Sequence, residues 1–115
     1  VLLRTGWQAK WGASLDYLGG ESVGDLHFPG FGLDTAQLLL EGKNVAGFGA
    51  DTAGIEPGTD TGFSVSRFAL ENGLIVLENL TELDKLPATG ILLVVGLLRL
   101  ESGSGGPVAV TALVP

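Results

Sequence analysis

The segment from Phe63 to Pro87 constrains the fold most, because a helix pattern in it runs directly into a fully apolar strand pattern. Ser64 is a residue type that caps helices, and Asn72-Gly73 is a typical helix end. Leu74 to Leu77 has no polar alternation, which predicts a strand buried on both faces. The segment therefore predicts a strand that is followed directly by the carboxylate of Glu78.

Other apolar segments predict the remaining core elements. They are a short strand over Val1 to Leu3, a helix from about Asp34 to Glu41, a strand over Val45 to Ala50, and a terminal hairpin of Ile91 to Leu100 with Val108 to Val114. Asp34 and Gln37 fit a capping box, and Gly42 fits a left-handed helix stop. Gly96 indicates either a bulge or close packing. This order predicts an α/β fold, with α+β as the alternative: a mixed β-sheet with two short helices in one domain, residues 1-115.

The aromatic and glycine-rich stretches are less regular. Gly12 to Gly32 is dense in glycine and predicts a long irregular connection, and Ile55 to Gly62 predicts a loop. Trp7 and Trp11 are four residues apart, so on a helical turn they would share one face. Core or interface packing and stacking on an aromatic substrate both fit this pair.

Composition excludes several classes of partner. The chain has 115 residues, with 13 acidic against 6 basic side chains and a net charge of -7, which disfavours nucleic acid and anionic lipid surfaces. There is no cysteine, and therefore no thiolate metal ligand. The longest apolar run, Gly90 to Leu98, is far shorter than the ~20 residues that cross a bilayer. We predict a soluble protein without nucleic-acid or membrane partners, and cytoplasmic and secreted locations both fit.

A family resemblance spans nearly the whole chain. It rests on Ser66 and Glu78, which lie twelve residues apart, and on a series of flanking motifs. These motifs are Val1-Leu-Leu-Arg-Thr-Gly-Trp7, Phe28-Pro29-Gly30, Val45-Ala-Gly-Phe-Gly-Ala-Asp51-Thr52 and Gly103-Ser-Gly-Gly-Pro107-Val108. In this order and spacing they resemble the cyclase family of metal-dependent hydrolases, which includes kynurenine formamidases and isatin hydrolases. The resemblance implies half of a swivelling β/β/α domain, corresponding to the carboxy-terminal portion of a family member.

The resemblance also implies part of a metal site. Glu78 matches a family metal ligand, whereas Ser66 stands where the family usually has a histidine. A neutral serine hydroxyl is a poor ligand for zinc or manganese, so we expect impaired metal binding by this chain alone. The family's His-x-Gly-Thr-His-x-Asp-x-Pro-x-His segment, which supplies most ligands and the catalytic histidine, is not in this sequence. Zinc or manganese is expected if an amino-terminal half is present, and otherwise no cofactor.

Further residues have two interpretations each. Glu78 could instead reach solvent at a strand end, or pair with Lys85 or Arg67. Asp51 and Thr52 match the family cleft, and turn capping explains them equally well. Ser66 and Arg67 are the other cleft-lining candidates. The single histidine, His27, fits a surface residue better than a ligand, since a metal site needs three or four converging donors.

Two functions fit these observations. The first is metal-dependent hydrolysis of an amide, such as an N-formyl arylamine or a strained ring, with Glu78 holding the metal or orienting its water and no catalytic base in this chain. The alternative is a non-catalytic binding or structural protein, a pseudoenzyme that retains the family scaffold. A half-domain leaves strand edges and apolar faces uncovered, so we expect a homo-oligomer or a complementing amino-terminal segment. An active form would take a small aromatic amide.

Overall fold

The computed structural model describes residues 1–115, with the exception of the side chain of Val23. The chain divides into two compact units, Val1–Asp84 and Lys85–Pro115. The prediction of a single domain over 1-115 stays a prediction.

A three-stranded parallel sheet forms the centre of the first unit. Its strands are β1 (Leu2–Leu3), β2 (Gly47–Ala50) and β3 (Ile75–Leu77), in the order β1-β2-β3. Leu2 pairs with Gly49 on one side of β2, and Gly49 pairs with Leu77 on the other. Because all three strands are parallel, their carboxyl ends lie at the same edge of the sheet.

The described part of the first unit has three α-helices: α1 (Ser14–Leu18), α2 (Leu33–Gly42) and α3 (Ser64–Glu71). Short 3-10 turns cover Trp7–Lys10, Val23–Asp25 and Leu83–Lys85. α1 and the second of these turns lie inside the stretch from Gly12 to Gly32, so the prediction of an irregular connection there was wrong for these two segments, whereas the remaining residues of the stretch are irregular. A five-residue helix is too short to show a helical period in sequence, and glycine on both sides of it conceals its bounds.

The core lies between β2 and the two longer helices. Phe48 and Ala50, which alternate along β2 and share one face, pack with Ala36 of α2 and with Val65 and Ala69 of α3. All five are almost completely buried. Apolar area removed from water in this way is the main source of stability, at about 25 cal/mol per Å².

The caps of the helices differ from the predicted ones. Gly32 precedes α2 without a side-chain cap, so Asp34 lies within the first turn and forms no capping bond. Gly42 is the last residue of α2, and its φ is not among the positive values. Phe63, rather than Ser64, occupies the cap position of α3. Only the helix end at Gly73, with φ +71°, has the predicted left-handed geometry.

The exposure of β3 also differs from the prediction. Ile75 is 52% exposed, Val76 is half-buried and only Leu77 is buried, so the strand is not buried on both faces. β3 is an edge strand, and an apolar run does not distinguish an edge from a central position.

The second unit contains an antiparallel hairpin of β4 (Leu92–Leu97) and β5 (Val108–Leu113). Its register is continuous, with Gly96 opposite Ala109, so the predicted bulge is absent from this described hairpin. Large apolar side chains on it remain exposed, among them Leu92, Val94, Leu97 and Leu113.

The predicted α/β class is confirmed. Parallel and antiparallel pairing are both present, divided between two sheets. None of the helices in the described chain has the length and apolar character that a bilayer crossing requires.

Candidate functional site

Several polar residues lie at the carboxyl edge of the parallel sheet. Thr5 and Gly6 follow β1, Asp51 follows β2 and Glu78 follows β3. In open α/β sheets, ligands bind outside the carboxyl ends of the strands. This edge is therefore the candidate site.

Asp51 fixes the first two loops to each other. Its Oδ1 accepts hydrogen bonds from the Thr5 backbone N at 2.9 Å and hydroxyl at 2.7 Å, and its Oδ2 accepts one from the Gly6 N at 2.8 Å. Burial alone would raise the pKa of Asp51, but these donors outweigh it and hold the pKa below its usual value. Asp51 is thus a buried anion with an internal structural role.

Thr52 is also fully buried. Its hydroxyl donates to the Gly54 carbonyl at 2.7 Å, and its own carbonyl accepts from the Asn79 backbone N at 2.8 Å. Asp51 and Thr52 therefore stabilise the loops at the edge of the site through hydrogen bonds. The prediction that they line a cleft stays a prediction.

Glu56 is a buried carboxylate that the sequence did not single out. It is 3% exposed, and it accepts hydrogen bonds from the Ser66 backbone N at 2.8 Å and the Ser66 hydroxyl at 3.1 Å. Ser66 lies in the first turn of α3, as predicted, where backbone N–H groups have no partner within the helix. Glu56 thus supplies one of the caps that α3 lacks locally.

Glu78 opens into a pocket at this edge. The pocket has a volume of about 250 Å³, and Glu56, Asp60, Phe28 and Phe63 are among its walls. The Glu78 residue as a whole is exposed, yet the pocket walls partly desolvate its carboxyl group. This desolvation, followed by the negative charge of Glu56, raises the pKa of Glu78.

A second hollow of about 410 Å³ lies near the first. Trp11, Tyr17 and Asn79 are among its walls. The Trp11 and Tyr17 rings meet edge to face at 5.2 Å, and the Tyr17 hydroxyl donates to Asn79 Oδ1 at 3.0 Å. Trp11 is 69% exposed and lies beyond the 3-10 turn that holds Trp7, so the two indoles are not on one helical face.

The remaining candidates lie outside these contacts. Arg67 is exposed on α3 and His27 is exposed on a loop. Among the described residues, no three His, Asp or Glu side chains converge as a metal site requires.

The missed residues, Glu56 and Asp60, precede α3 by several positions. Their partners are the backbone N–H groups of the helix start. The one signal in the sequence is an acidic residue on each side of Pro57-Gly58, within a loop before a predicted helix.

Comparisons with known proteins show which proteins this chain is similar to. A family model described as "Putative cyclase" matches residues 1–57. All of the chain aligns with an isatin hydrolase from Roseibium aggregatum, at 33% identity over 119 residues and 44% of that protein. The chain is similar to part of a cyclase-family protein.

Solved structures of cyclase-family proteins have the same fold. Isatin hydrolase A from Ralstonia solanacearum matches all of this chain and 45% of its own, with a TM-score of 0.92 at 30% identity. An isatin hydrolase bound to the product analogue thioisatinate matches over the same shares, with 0.91 at 33% identity. Isatin hydrolase A from Labrenzia aggregata, bound to benzyl benzoate, gives 0.89 at 34% identity over 99% of this chain and 45% of its own. The chain thus spans less than half the length of the relatives it matches.

Proposed function

We propose that this chain contributes Glu78 to the active site of a metal-dependent hydrolase, which hydrolyses the amide bond of a cyclic or N-formylated aryl amide. The observation that carries the proposal is the Glu78 carboxylate, directed into a pocket from the exit of β3 in a chain that matches isatin hydrolases throughout. Isatin is itself a cyclic amide fused to a benzene ring.

The fit of a metal to these residues is partial. Three carboxylates, Glu56, Asp60 and Glu78, line one pocket, and hard oxygen donors of this kind suit divalent cations. Glu56 and Asp60 already accept hydrogen bonds from the start of α3, so Glu78 is the residue that would hold zinc or manganese, with the other ligands from beyond the described residues. A bound metal would lower the pKa of water to near neutral and polarise the amide carbonyl.

The chain's own contribution is to orient Glu78. Two backbone hydrogen bonds fix the chain just after it, from Asn79 N to the Thr52 carbonyl at 2.8 Å and from Leu80 N to the Ala50 carbonyl at 3.0 Å. Partial burial, followed by the adjacent charge of Glu56, disfavours the ionised form of Glu78. A bound cation would favour the ionised form instead.

A chimera tests the proposal. This chain would replace the matching segment of the Roseibium aggregatum isatin hydrolase, and isatin hydrolysis and metal content would be measured on the same sample. Glu78→Gln should lower kcat/KM at least a hundredfold and reduce bound metal, because an amide is a weaker ligand. Glu71→Gln, at the exposed end of α3, is the matched control. A folded, active chimera that tolerates Glu78→Gln would contradict the proposal.

The second candidate is a non-catalytic scaffold. The Ser66 hydroxyl, which stands at the predicted ligand position, is engaged by Glu56 rather than directed at an open site, and this favours the alternative. A folded chimera that binds neither zinc nor manganese and leaves isatin intact would support it.

Assembly is part of either proposal. We propose that the hairpin of β4 and β5 is covered by a second copy of the chain or by a complementing segment, because a two-stranded hairpin with exposed leucine and valine is marginally stable alone. Light scattering on the purified chain tests the second copy, and a monodisperse 11.8 kDa monomer would contradict self-association as the cover.

A further inference from the structure

Phe63 has an unusual backbone conformation for its residue type. Its φ of 53° and ψ of 45° place it in the left-handed region, at the cap position of α3. This region is costly for residues with a bulky side chain, and outside glycine it is mostly occupied by Asn, Asp and His. Of the four non-glycine residues with positive φ in the described chain, Phe63 is the only apolar one.

Burial does not compensate for this conformation. Phe63 is 53% exposed, although a phenylalanine stabilises a fold mainly through the area it removes from water. A strained backbone and an exposed aromatic ring together argue that the side chain is not retained for packing. Strained residues of this kind concentrate at functional sites, where the surrounding structure holds them in place.

Asp60 holds Phe63 in this conformation. Its carboxylate accepts hydrogen bonds from the backbone N of Gly62 at 3.0 Å and of Ser64 at 3.1 Å, the two neighbours of Phe63, and also from the Ser64 hydroxyl. The Phe63 N donates to the Asp60 carbonyl at 3.3 Å. The turn is thereby fixed on both sides of the aromatic residue.

The Phe63 side chain forms a wall of the Glu78 pocket. Glu78 and Phe28 line the same pocket, so a carboxylate and an aromatic surface border one space of about 250 Å³. A molecule whose polar end lies at Glu78 would place its remaining atoms within reach of these rings. A planar aromatic group is the chemical class that such a wall binds best.

We propose that Phe63 is a specificity-determining residue that packs on the aryl ring of the amide substrate, and that Asp60 is the positioning residue that presents it. This inference rests on the function proposed above and names the part of the substrate that the pocket selects. It assigns the strain at Phe63 to recognition of the ring rather than to the chemistry at the amide.

The kinetic test compares two substrates in the chimera. Isatin carries the fused benzene ring, and pyrrolidine-2,3-dione keeps the dicarbonyl ring without it. Phe63→Leu and Phe63→Gly should lower the ratio of kcat/KM for isatin over that for the dione about tenfold, the change that aromatic contacts of this kind produce. Asp60→Ala should lower the same ratio, and Asp60→Asn should restore most of it. Leu70→Ala, at an exposed position of α3, is the control.

A binding measurement separates this inference from the proposed function. Isatin would be titrated into the 115-residue chain with labelled phenylalanine rings, and the Phe63 ring signals would be followed by NMR. Saturable ring-current shifts that the dione does not produce would support the inference. If these shifts appear but the chimera shows no turnover, only the proposed hydrolase function is overturned. Turnover with an unchanged substrate ratio in Phe63→Leu would overturn the inference alone. Absent shifts together with absent turnover would overturn both.

Discussion

Glu56 and Ser66 are joined by two hydrogen bonds, one to the backbone N of Ser66 at 2.8 Å and one to its hydroxyl at 3.1 Å. The carboxylate therefore binds the start of α3 and at the same time forms a wall of the Glu78 pocket. The helix and the candidate site share one buried charge.

Replacing Glu56 should destabilise the chain by leaving the Ser66 N–H without an acceptor. We expect Glu56→Ala to lower the free energy of unfolding by about 2 kcal/mol, since hydrogen bonds to charged groups contribute about 1.5–3 kcal/mol. Glu56→Gln should cost less, because its amide oxygen still accepts one bond. Urea denaturation measures both variants, with Glu71→Gln as the surface control. A Glu56→Ala variant as stable as that control would show that Glu56 does not cap α3.

The stability difference between the parent and Glu78→Gln should depend on pH. Partial burial and the Glu56 charge raise the folded-state pKa of Glu78 above its unfolded value of about 4.3. The folded state therefore binds the proton more tightly, and the stability from this group is present in acid and lost as pH rises through the raised pKa. Glu78→Gln should be more stable than the parent at pH 8, by less than about 1 kcal/mol because water screens the group.

Denaturant unfolding between pH 4 and pH 8 without added metal checks this expectation. Glu71→Gln, at the exposed end of α3, serves as the comparison variant. An advantage of Glu78→Gln that grows toward acid pH would contradict the assigned direction.

Asp51 should have the opposite pH dependence. Its hydrogen bonds from Thr5 and Gly6 lower its folded pKa, so its contribution is complete above the unfolded pKa of about 3.9 and is lost as pH falls through the folded value. Asp51→Asn should cost about 2–3 kcal/mol at pH 7, because the amide N–H group faces backbone donors. Asp34→Asn, on an exposed position, should change stability by less than about 0.5 kcal/mol. Equal losses in the two variants at pH 7 would refute this role for Asp51.

Gly30 should not tolerate a side chain. A Cβ there would lie 2.1 Å from the Glu56 carbonyl carbon and 2.5 Å from the Pro57 N, and backbone atoms cannot give way as a side chain does. Gly30→Ala should therefore lower the thermal midpoint by more than 10 °C, on the basis of about 4–8 °C per kcal/mol for a small domain. Gly42→Ala is the control, with open space at its Cβ, and calorimetry compares the two. A near-parental midpoint for Gly30→Ala would mean that the 30–57 contact is looser than described.

The elements that sequence predicted well are those with local signals. The helix over Ser64–Glu71 has a glycine stop at Gly73, and the hairpin strands are long apolar runs around a glycine-rich turn. The cap of α3 was mispredicted because its acceptors, Glu56 and Asp60, precede the N–H groups they bind by ten and four residues, beyond the reach of a capping box.

In the candidate site, too, some features could be predicted from sequence and others could not. The exit of Glu78 from β3 followed from one uninterrupted apolar run. The pairing of Glu56 with Ser66 depends on how the loop from Ile55 folds back over α3, and no periodicity encodes that. The strain at Phe63 is likewise a property of the folded turn, since no pattern rule assigns a positive φ to phenylalanine.

The double engagement of Glu56 limits how this pocket can evolve. A substitution that changes what the pocket accepts at Glu56 also removes a support of α3, so new selectivity gained there carries a loss of foldability. Leu26 and Thr61 line the same pocket without a side-chain hydrogen bond to the described residues, which leaves them freer to vary. Divergence among relatives in ligand preference should therefore accumulate at such positions before it reaches the buried acid.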